Sequence, residues 1–357
     1  MTAPFRIALV GTGNIARDHL EAYRGFPEKV KLAAVCDVRE DALQKFAREA
    51  NVESTYLDFE RMLREAPIDA VDLCTVHDQH APLAIAAARA GKHVLVEKPM
   101  GCSLDECRQM LAAAEKSGVT LMVAQHQRYT PSYRGVRKLI QRGDLGVLHA
   151  VRFDAMQDMP GTVPSSHWIY DGKKAGGGIV ISVSVHRLDL MRYLIGEVKR
   201  VTAHCRTMHP GFSNGAEDFA AALLEFENGA IGEMFGTYSG VRMPWGEQFM
   251  LFGSEGAVHA VPNIGAYAGP AFVATRKDKP PVEGWLSQYS GFTPVQDEHD
   301  GLPSDSGIVN EILHFAECAQ SKREPLSSGK DNFKTMQLVF AIYESSKLGR
   351  PVNVSDL

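Results

Sequence analysis

No apolar run in this sequence approaches the roughly 20 residues that a membrane-spanning helix needs, which excludes an integral helical membrane protein. An excess of basic residues is missing as well. Lysine and arginine number 38 against 43 aspartates and glutamates, a formal charge of −5. That balance gives no field for holding nucleic acid or an anionic membrane surface. Cysteines are few: Cys36, Cys74, Cys102, Cys107, Cys205 and Cys318 show neither paired metal spacing nor the density of a disulfide scaffold. Cys102 and Cys107 have no second pair near them, so the thiols read as reduced and the protein as cytoplasmic. Between Met1 and Val10 no long apolar stretch follows a basic start, so no signal peptide is expected there. Internal repeats and low-complexity tracts are absent too. What is there is a chain of 357 residues, 45% hydrophobic and 23% charged. This is a globular composition, and the length suggests two domains.

Over residues 1–124, short β-branched runs alternate with amphipathic, alanine-rich segments. Phe5–Val10, Val30–Cys36, Ala70–Cys74, His93–Val96 and Val119–Ala124 read as buried strands. Asn14–Arg24, Arg39–Ala50, Pro82–Ala90 and Leu104–Lys116 read as helices, the last opened by a capping box at Ser103 and Glu106. This alternation predicts an α/β domain of the Rossmann type: a doubly wound parallel sheet with right-handed crossovers. From residue 125 to 357 the rhythm changes. A helix at Ser132–Arg142 is followed by strands near Val147–Asp154, Lys199–His204, Phe219–Glu227, Ala230–Ser239, Gln248–Gly253 and Ala257–Ala260. Asn228-Gly229 marks a hairpin. Helices at Ile308–Ser321 and Asp331–Leu348 close the chain. The second domain is therefore expected to be α+β, with a large, mainly antiparallel open sheet. Most of 155–178 and 238–307 reads as long loops of the sort that cover a binding site.

Gly11-Thr12-Gly13-Asn14-Ile15-Ala16 follows the first strand and opens the first helix. In this G-x-G-x-x-A pattern Gly11 permits the tight turn and Gly13 lets the backbone approach a pyrophosphate. The helix start at Asn14 and Ile15 offers free amides and the positive dipole end. Asp37, at the end of the second strand, can bind the adenosine ribose and repel a 2′-phosphate. This favours NAD, while Arg39 leaves NADP possible. Lys98 ends the fourth strand, where an ammonium is costly unless paired or working; a lysine snorkelling at the sheet rim is the structural alternative. His186, on an apolar segment after Gly176-Gly177-Gly178, reads either as a proton shuttle or as a packed core histidine. Trp168 and His167 upstream, and Gln125, His126 and Arg128 after the fifth strand, suit a polyhydroxylated ring, although Trp168 fits a core role equally. Trp245 and Trp285 read as lids or as oligomer contacts. Metal binding by His77, Asp78 and His80 is not expected, since Asp78 can instead cap the next helix.

Over nearly its whole length the sequence resembles the glucose–fructose oxidoreductase/inositol dehydrogenase (Gfo/Idh/MocA) family. The matching features are the glycine motif, Glu97-Lys98-Pro99 after the run Ala90–Val96, Arg128-Tyr129-x-Pro131, and the triple glycine followed by His186-x-x-Asp189. The resemblance implies that Lys98 lies beside the nicotinamide and the substrate hydroxyl, and that His186 is the acid–base group. It further implies that Thr75, His77, His80 and Glu97 line the cofactor, and that the Lys98–Pro99 bond is cis. Homodimers or homotetramers through the second sheet are implied too. Relatives acting on sugars or cyclitols commonly carry an aspartate four residues before the histidine, where this chain has Ser182. On a helix those positions share a face, so Ser182 joins the expected site. Three activities follow from the resemblance: a dehydrogenase or reductase acting on sugars, cyclitols or glycosides; a redox-neutral, NAD-retaining glycoside-cleaving enzyme; and a non-catalytic sensor.

Overall fold

The apolar runs of the first 124 residues pair in parallel. The computed structural model describes residues 3–243, 246–260, 271–277 and 291–357. In chain order it forms β1 (Phe5–Val10), α1 (Asn14–Gly25), β2 (Val30–Cys36), α2 (Glu40–Ala50), β3 (Thr55–Tyr56), α3 (Phe59–Glu65) and β4 (Ala70–Leu73). Then follow α4 (His80–Arg89), β5 (His93–Glu97), α5 (Leu104–Ser117) and β6 (Leu121–Ala124). The six strands lie in the order β3-β2-β1-β4-β5-β6, all parallel. Strand order reverses between β1 and β4, and that is where an open parallel sheet offers a crevice at its carboxyl ends. Two elements escape the sequence reading. β3 has only two residues, and the seven-residue α3 is too short to show a period, although Asp58 caps it through the Arg61 amide. Ser103 caps α5 as the sequence expects, accepting from the Glu106 amide.

The second half supplies α6 (Pro131–Gln141), β7 (Leu148–Met156), α7 (Met159–Thr162) and α8 (Gly172–Ala175). A π-helical segment, Val180–Ser184, runs into α9 (Val185–Ile195). Strands β8 (Val198–Arg206), β9 (Phe219–Phe226), β10 (Ile231–Thr237), β11 (Gly246–Gly253), β12 (Gly256–Ala260), β13 (Ala271–Thr275) and β14 (Thr293–Pro294) follow. The chain ends with α10 (Gly307–Ser321), α11 (Gly329–Leu348) and β15 (Val352–Asn353). The nine strands are ordered β14-β13-β12-β11-β7-β10-β9-β8-β15. Every pairing is antiparallel except β7 with β10, which are parallel. Alternating hydrophobicity fixes which face a strand buries but not which neighbour it takes, so that one parallel pairing is invisible in the sequence. β13 stands inside a segment read as loop.

Two compact units result: residues 1–129, 173–176 and 301–336 in the first, and 130–172, 177–300 and 337–357 in the second. A division after residue 124 puts α10 in the second domain. Instead Ile308, Val309, Ile312, Leu313, Phe315 and Ala316 are buried with Phe5, Ile7, Leu9 and Leu20 in the core of the first unit. Phe315 meets Phe5 edge-on at 6.1 Å between ring centres. Among the described residues no helix is long and apolar enough to cross a membrane.

Candidate functional site

In the first unit the glycine turn is fixed by its neighbours. Gly11 has φ +87°, and a Cβ there would stand 2.6 Å from the Cys74 carbonyl oxygen, so only glycine fits. Above Gly13 the space is open: a Cβ would touch nothing within 4 Å, leaving the backbone accessible to a large group. The α1 amino end has no side-chain cap and no acidic residue in its first turn, so its free amides and dipole face outward uncompensated. Asp37 Oδ2 accepts from the Thr12 amide (2.8 Å) and hydroxyl (2.7 Å), and Oδ1 from the Arg39 amide (2.9 Å). Burial pushes this carboxyl up, but those donors and the Arg39 charge outweigh it and hold it below the usual carboxylate range. Asp37 therefore stays anionic at the second strand's end, where a ribose needs an acceptor.

The end of β4 leaves two polar atoms unsatisfied by protein. Thr75 Oγ1 and Asp78 Oδ1 are buried without a partner. Asp78 is thus not the helix cap the sequence suggests. Together with the open space over Gly13 and the uncapped helix start, these atoms fit a dinucleotide, whose hydroxyls and amide can satisfy them. His77 and His80 behave differently. His77 Nδ1 lies 2.9 Å from the Ala175 carbonyl oxygen. His80 places Nδ1 2.7 Å from the Pro99 carbonyl and Nε2 3.1 Å from the Thr75 carbonyl. Burial drives both imidazoles below their ordinary value, so they are neutral braces at neutral pH. A neutral His80 can donate through only one nitrogen, and the shorter contact, to the Pro99 carbonyl, ties the start of α4 to the turn after Lys98.

Glu97 is likewise interior. It is 4% exposed; its Oε1 stands 3.1 Å from His19 Nε2, and its Oε2 accepts the Lys98 amide at 3.0 Å. The Lys98–Pro99 bond is cis. Lys98 itself is half-buried at the carboxyl end of β5. Arg128 departs from expectation. It is 3% exposed, donates to the Leu326 carbonyl at 2.9 Å and pairs with Asp331 at 2.6 Å, so it locks the turn after β6 within the first unit. So occupied, the guanidinium anchors the chain that follows β6. Gln125 and His126 are buried beside it.

In the second unit Gly177 and Gly178 lead into the helix that carries the remaining groups. A Cβ on Gly178 would fall 1.7 Å from the Glu217 carbonyl oxygen, so this position admits no side chain. The Glu217 carboxylate accepts from the amides of Gly178 (2.6 Å) and Val180 (2.8 Å) and from the Tyr343 hydroxyl (3.0 Å). It thereby holds the amino end of the Val180–Ile195 helical run. Burial raises its pKa to about 7, against the pull of those donors. Nothing local in the sequence marks Glu217, which lies 39 residues beyond Gly178. Ser182 falls in the π-helical turn and His186 in α9, at 3% and 6% exposure. Wide i→i+5 turns of this kind are frequent at functional sites. The Ser182 hydroxyl lies against the Tyr238 phenol and opposes the upward push of burial on that group. Tyr238 in turn stacks parallel on Phe212 at 5.8 Å. The next residue, Arg187, is fully buried, donates to the Tyr133 hydroxyl and stacks on Tyr133 and Phe153. His167 and the half-buried Trp168 form a ring pair at 5.3 Å, and His167 caps the short turn that follows. Trp245 and Trp285 lie outside the described residues.

A doubly wound sheet with this glycine turn and an anionic Asp37 defines a dinucleotide-binding fold. Family models agree: the oxidoreductase family with an NAD-binding Rossmann fold (GFO_IDH_MocA) matches residues 5–125, and the GFO/IDH/MocA C-terminal domain matches residues 133–259. The chain belongs to the Gfo/Idh/MocA family. It is similar to myo-inositol 2-dehydrogenase of Thermotoga maritima, 29% identical over 355 residues, covering 99% of each chain. D-apiose dehydrogenase of Paraburkholderia graminis is 28% identical, covering 99% of this chain and 90% of that one. Among solved structures, levoglucosan dehydrogenase in complex with NADH and levoglucosan superposes with a TM-score of 0.88 at 24% identity, covering 99% of this chain and 100% of the other. The chain is thus a member of an NAD-binding family of oxidoreductases that includes named sugar and cyclitol dehydrogenases.

Proposed function

We propose that this protein uses NAD to oxidise a secondary hydroxyl of a sugar, cyclitol or glycoside, or runs the same reaction backwards on the ketone. Lys98 carries the reading. It ends β5 with its amide pinned by Glu97, on the sheet edge that also holds the glycine turn and the unsatisfied Thr75 hydroxyl. An ammonium held there donates to the oxygen that becomes alkoxide, and preorganised donors of this kind contribute most when water is excluded. His186 takes the hydroxyl proton as general base. NAD, when bound, supplies the acceptor for the hydride. Ser182 puts a neutral hydroxyl where relatives acting on sugars commonly carry an aspartate, and with the Tyr238 phenol beside it serves as a hydrogen-bonding partner for substrate hydroxyls. Trp168 offers a ring face to the sugar C–H groups.

The test is NADH formation from NAD, with NADP in parallel, against a panel of sugars, inositols and aryl glycosides. Substrate-dependent NADH supports the reading. Aglycone release without net NADH would replace it by redox-neutral cleavage, and neither signal would leave a binding protein. Asp37→Ala is expected to lower kcat/KM with NAD about tenfold or more and to narrow the preference over NADP, since a charged hydrogen-bond acceptor is lost. The six cysteines are all unpaired, which fits a reducing, cytoplasmic setting.

We place the oligomer contact on the outer face of the nine-stranded sheet. Leu223, Ile231 and Phe252 are 49%, 46% and 42% exposed there, and Phe219 meets Phe235 edge-on at 5.4 Å. The strand registers bring these residues to one face. Exposed apolar side chains on one face, here with Glu225, Glu233 and Arg152 among them, suit an association surface of mixed apolar and charged character. The double substitution Leu223→Lys, Ile231→Lys is expected to yield monomer by light scattering; an unchanged mass would refute this placement.

A further inference from the structure

Four elements of the first unit, α1, β4, β5 and α10, bring acidic and basic groups together in the dry core behind the cofactor edge. His19 places Nδ1 2.9 Å from Asp72 Oδ2 and Nε2 3.1 Å from Glu97 Oε1. Tyr23, one helical turn on, donates to the same Asp72 oxygen at 2.7 Å, and the Cys74 thiol lies 3.6 Å from His19 Nδ1. From α10, Glu311 brings an oxygen to within 4.8 Å of ligand atoms of both His19 and Glu97. His19, Asp72 and Glu311 are wholly inaccessible to solvent, and Glu97 nearly so. Neither Glu311 oxygen has a hydrogen-bond partner.

The charge balance decides the protonation states. Both His19 nitrogens face carboxylates, so both must donate, and the ring is an imidazolium. It offsets one of the two carboxylates it touches, and Lys98, next in sequence to Glu97, offsets the other. His126, from the turn after β6, adds a minor influence on Glu97. A third anion in the same core would have neither a cation nor a donor, and unpaired buried charges neutralise instead.

We infer that Glu311 is a buried neutral carboxylic acid, and that His19, with Glu311 behind it, is a positioning residue that keeps Glu97 ionised so that Glu97 holds the backbone of Lys98. The alternative for the same atoms is a cation held by His19, Glu97 and Glu311. A metal would require an ionised Glu311 and a His19 nitrogen stripped of its proton. The donor arrangement on His19 favours the proton.

The protonation claim stands apart from the proposed function, whereas the positioning claim rests on it, and the experiment separates the two. Infrared difference spectroscopy of wild type against Glu311→Gln should show a neutral carboxylic-acid carbonyl band, lost in the variant and present in wild type at every pH between about 5 and 9, a range above the ordinary carboxylate value. Glu311→Gln, an isostere of the neutral acid, should fold with a Tm close to wild type. Absence of the band, a band that titrates away within that range, a poorly folded Gln variant beside a tolerated Glu311→Asp, or stoichiometric metal lost on substitution would each overturn it. For positioning, Glu97→Gln and His19→Asn should lower kcat about tenfold with KM for NAD little changed. Both should also move the alkaline limb of the kcat–pH profile to lower pH, because a neutral Glu97 no longer favours the charged lysine. Unmoved limbs in folded variants would reduce His19 to a structural role, while the infrared result would still stand.

Discussion

Lys98→Ala and His186→Ala are each expected to lower kcat by roughly 10²–10³-fold in steady-state assays with NAD and a turned-over polyol, while Ser182→Ala changes it by less than about tenfold. The reason lies in what each group meets. Lys98 is the donor for charge that develops only in the transition state, so its loss falls on kcat rather than on KM. His186 must be neutral to accept a proton, and its removal leaves water as the base. Ser182, against the neutral Tyr238 phenol, contributes hydrogen bonds but no charge. Small and equal effects at all three positions would sink the acid–base assignment. Ser182→Asp is the informative converse. Better oxidation of simple sugars by that variant would make the serine a determinant of specificity.

Glu217→Ala is expected to cost several kcal/mol of stability, because the Gly178 and Val180 amides and the Tyr343 hydroxyl lose their acceptor in a buried setting at about 1–3 kcal/mol each. Chemical denaturation of wild type and variant measures this directly. The pH dependence has a definite sign. A carboxyl raised to about 7 in the folded state binds its proton more tightly than the unfolded chain does. Its contribution is therefore fully present below the unfolded value near 4.5 and is lost as pH rises through 7. Glu217→Gln, which cannot titrate, should lack that slope, so the Tm advantage of wild type over Gln should be larger at pH 5.5 than at 8.5, pH values chosen to lie about 1.5 units either side of 7. An advantage that grows toward alkaline pH would show that the amides keep Glu217 ionised throughout. Because Glu217 holds the amino end of the helix bearing Ser182 and His186, a fall in kcat should accompany the loss of stability in Glu217→Ala.

Much of this molecule was legible one segment at a time. The period-2 and period-3.6 patterns located nearly every long strand and helix of both units to within a few residues, because burial of one face imposes its period on the local sequence. The glycine turn was legible because only glycine can take φ +87° within 2.6 Å of a carbonyl oxygen. Asp37 and Lys98 stand out in the sequence because a charged group ending a buried strand needs a reason to be there, and the fold sets Asp37 against Thr12 and the Lys98 amide against Glu97. Short elements such as β3 and α3 left no period to read.

What the tertiary structure alone decided concerns pairs far apart in the chain. Arg128, expected at the substrate, lies against Leu326, 198 residues away, and Asp331. His80 sets its ring nitrogens 2.7 Å from the Pro99 carbonyl and 3.1 Å from the Thr75 carbonyl, and nothing near it in the sequence announces Pro99. Glu217 beneath Gly178, the return of α10 to the first unit, the parallel pairing of β7 with β10, and Glu311 beside His19 carry no mark in their own neighbourhoods. Hydrophobic period and turn chemistry are properties of a few consecutive residues and survive in the sequence. Whether a buried charge is paired, braced or left holding its proton depends on which distant group the fold brings within about 4 Å, and only the folded chain supplies that partner.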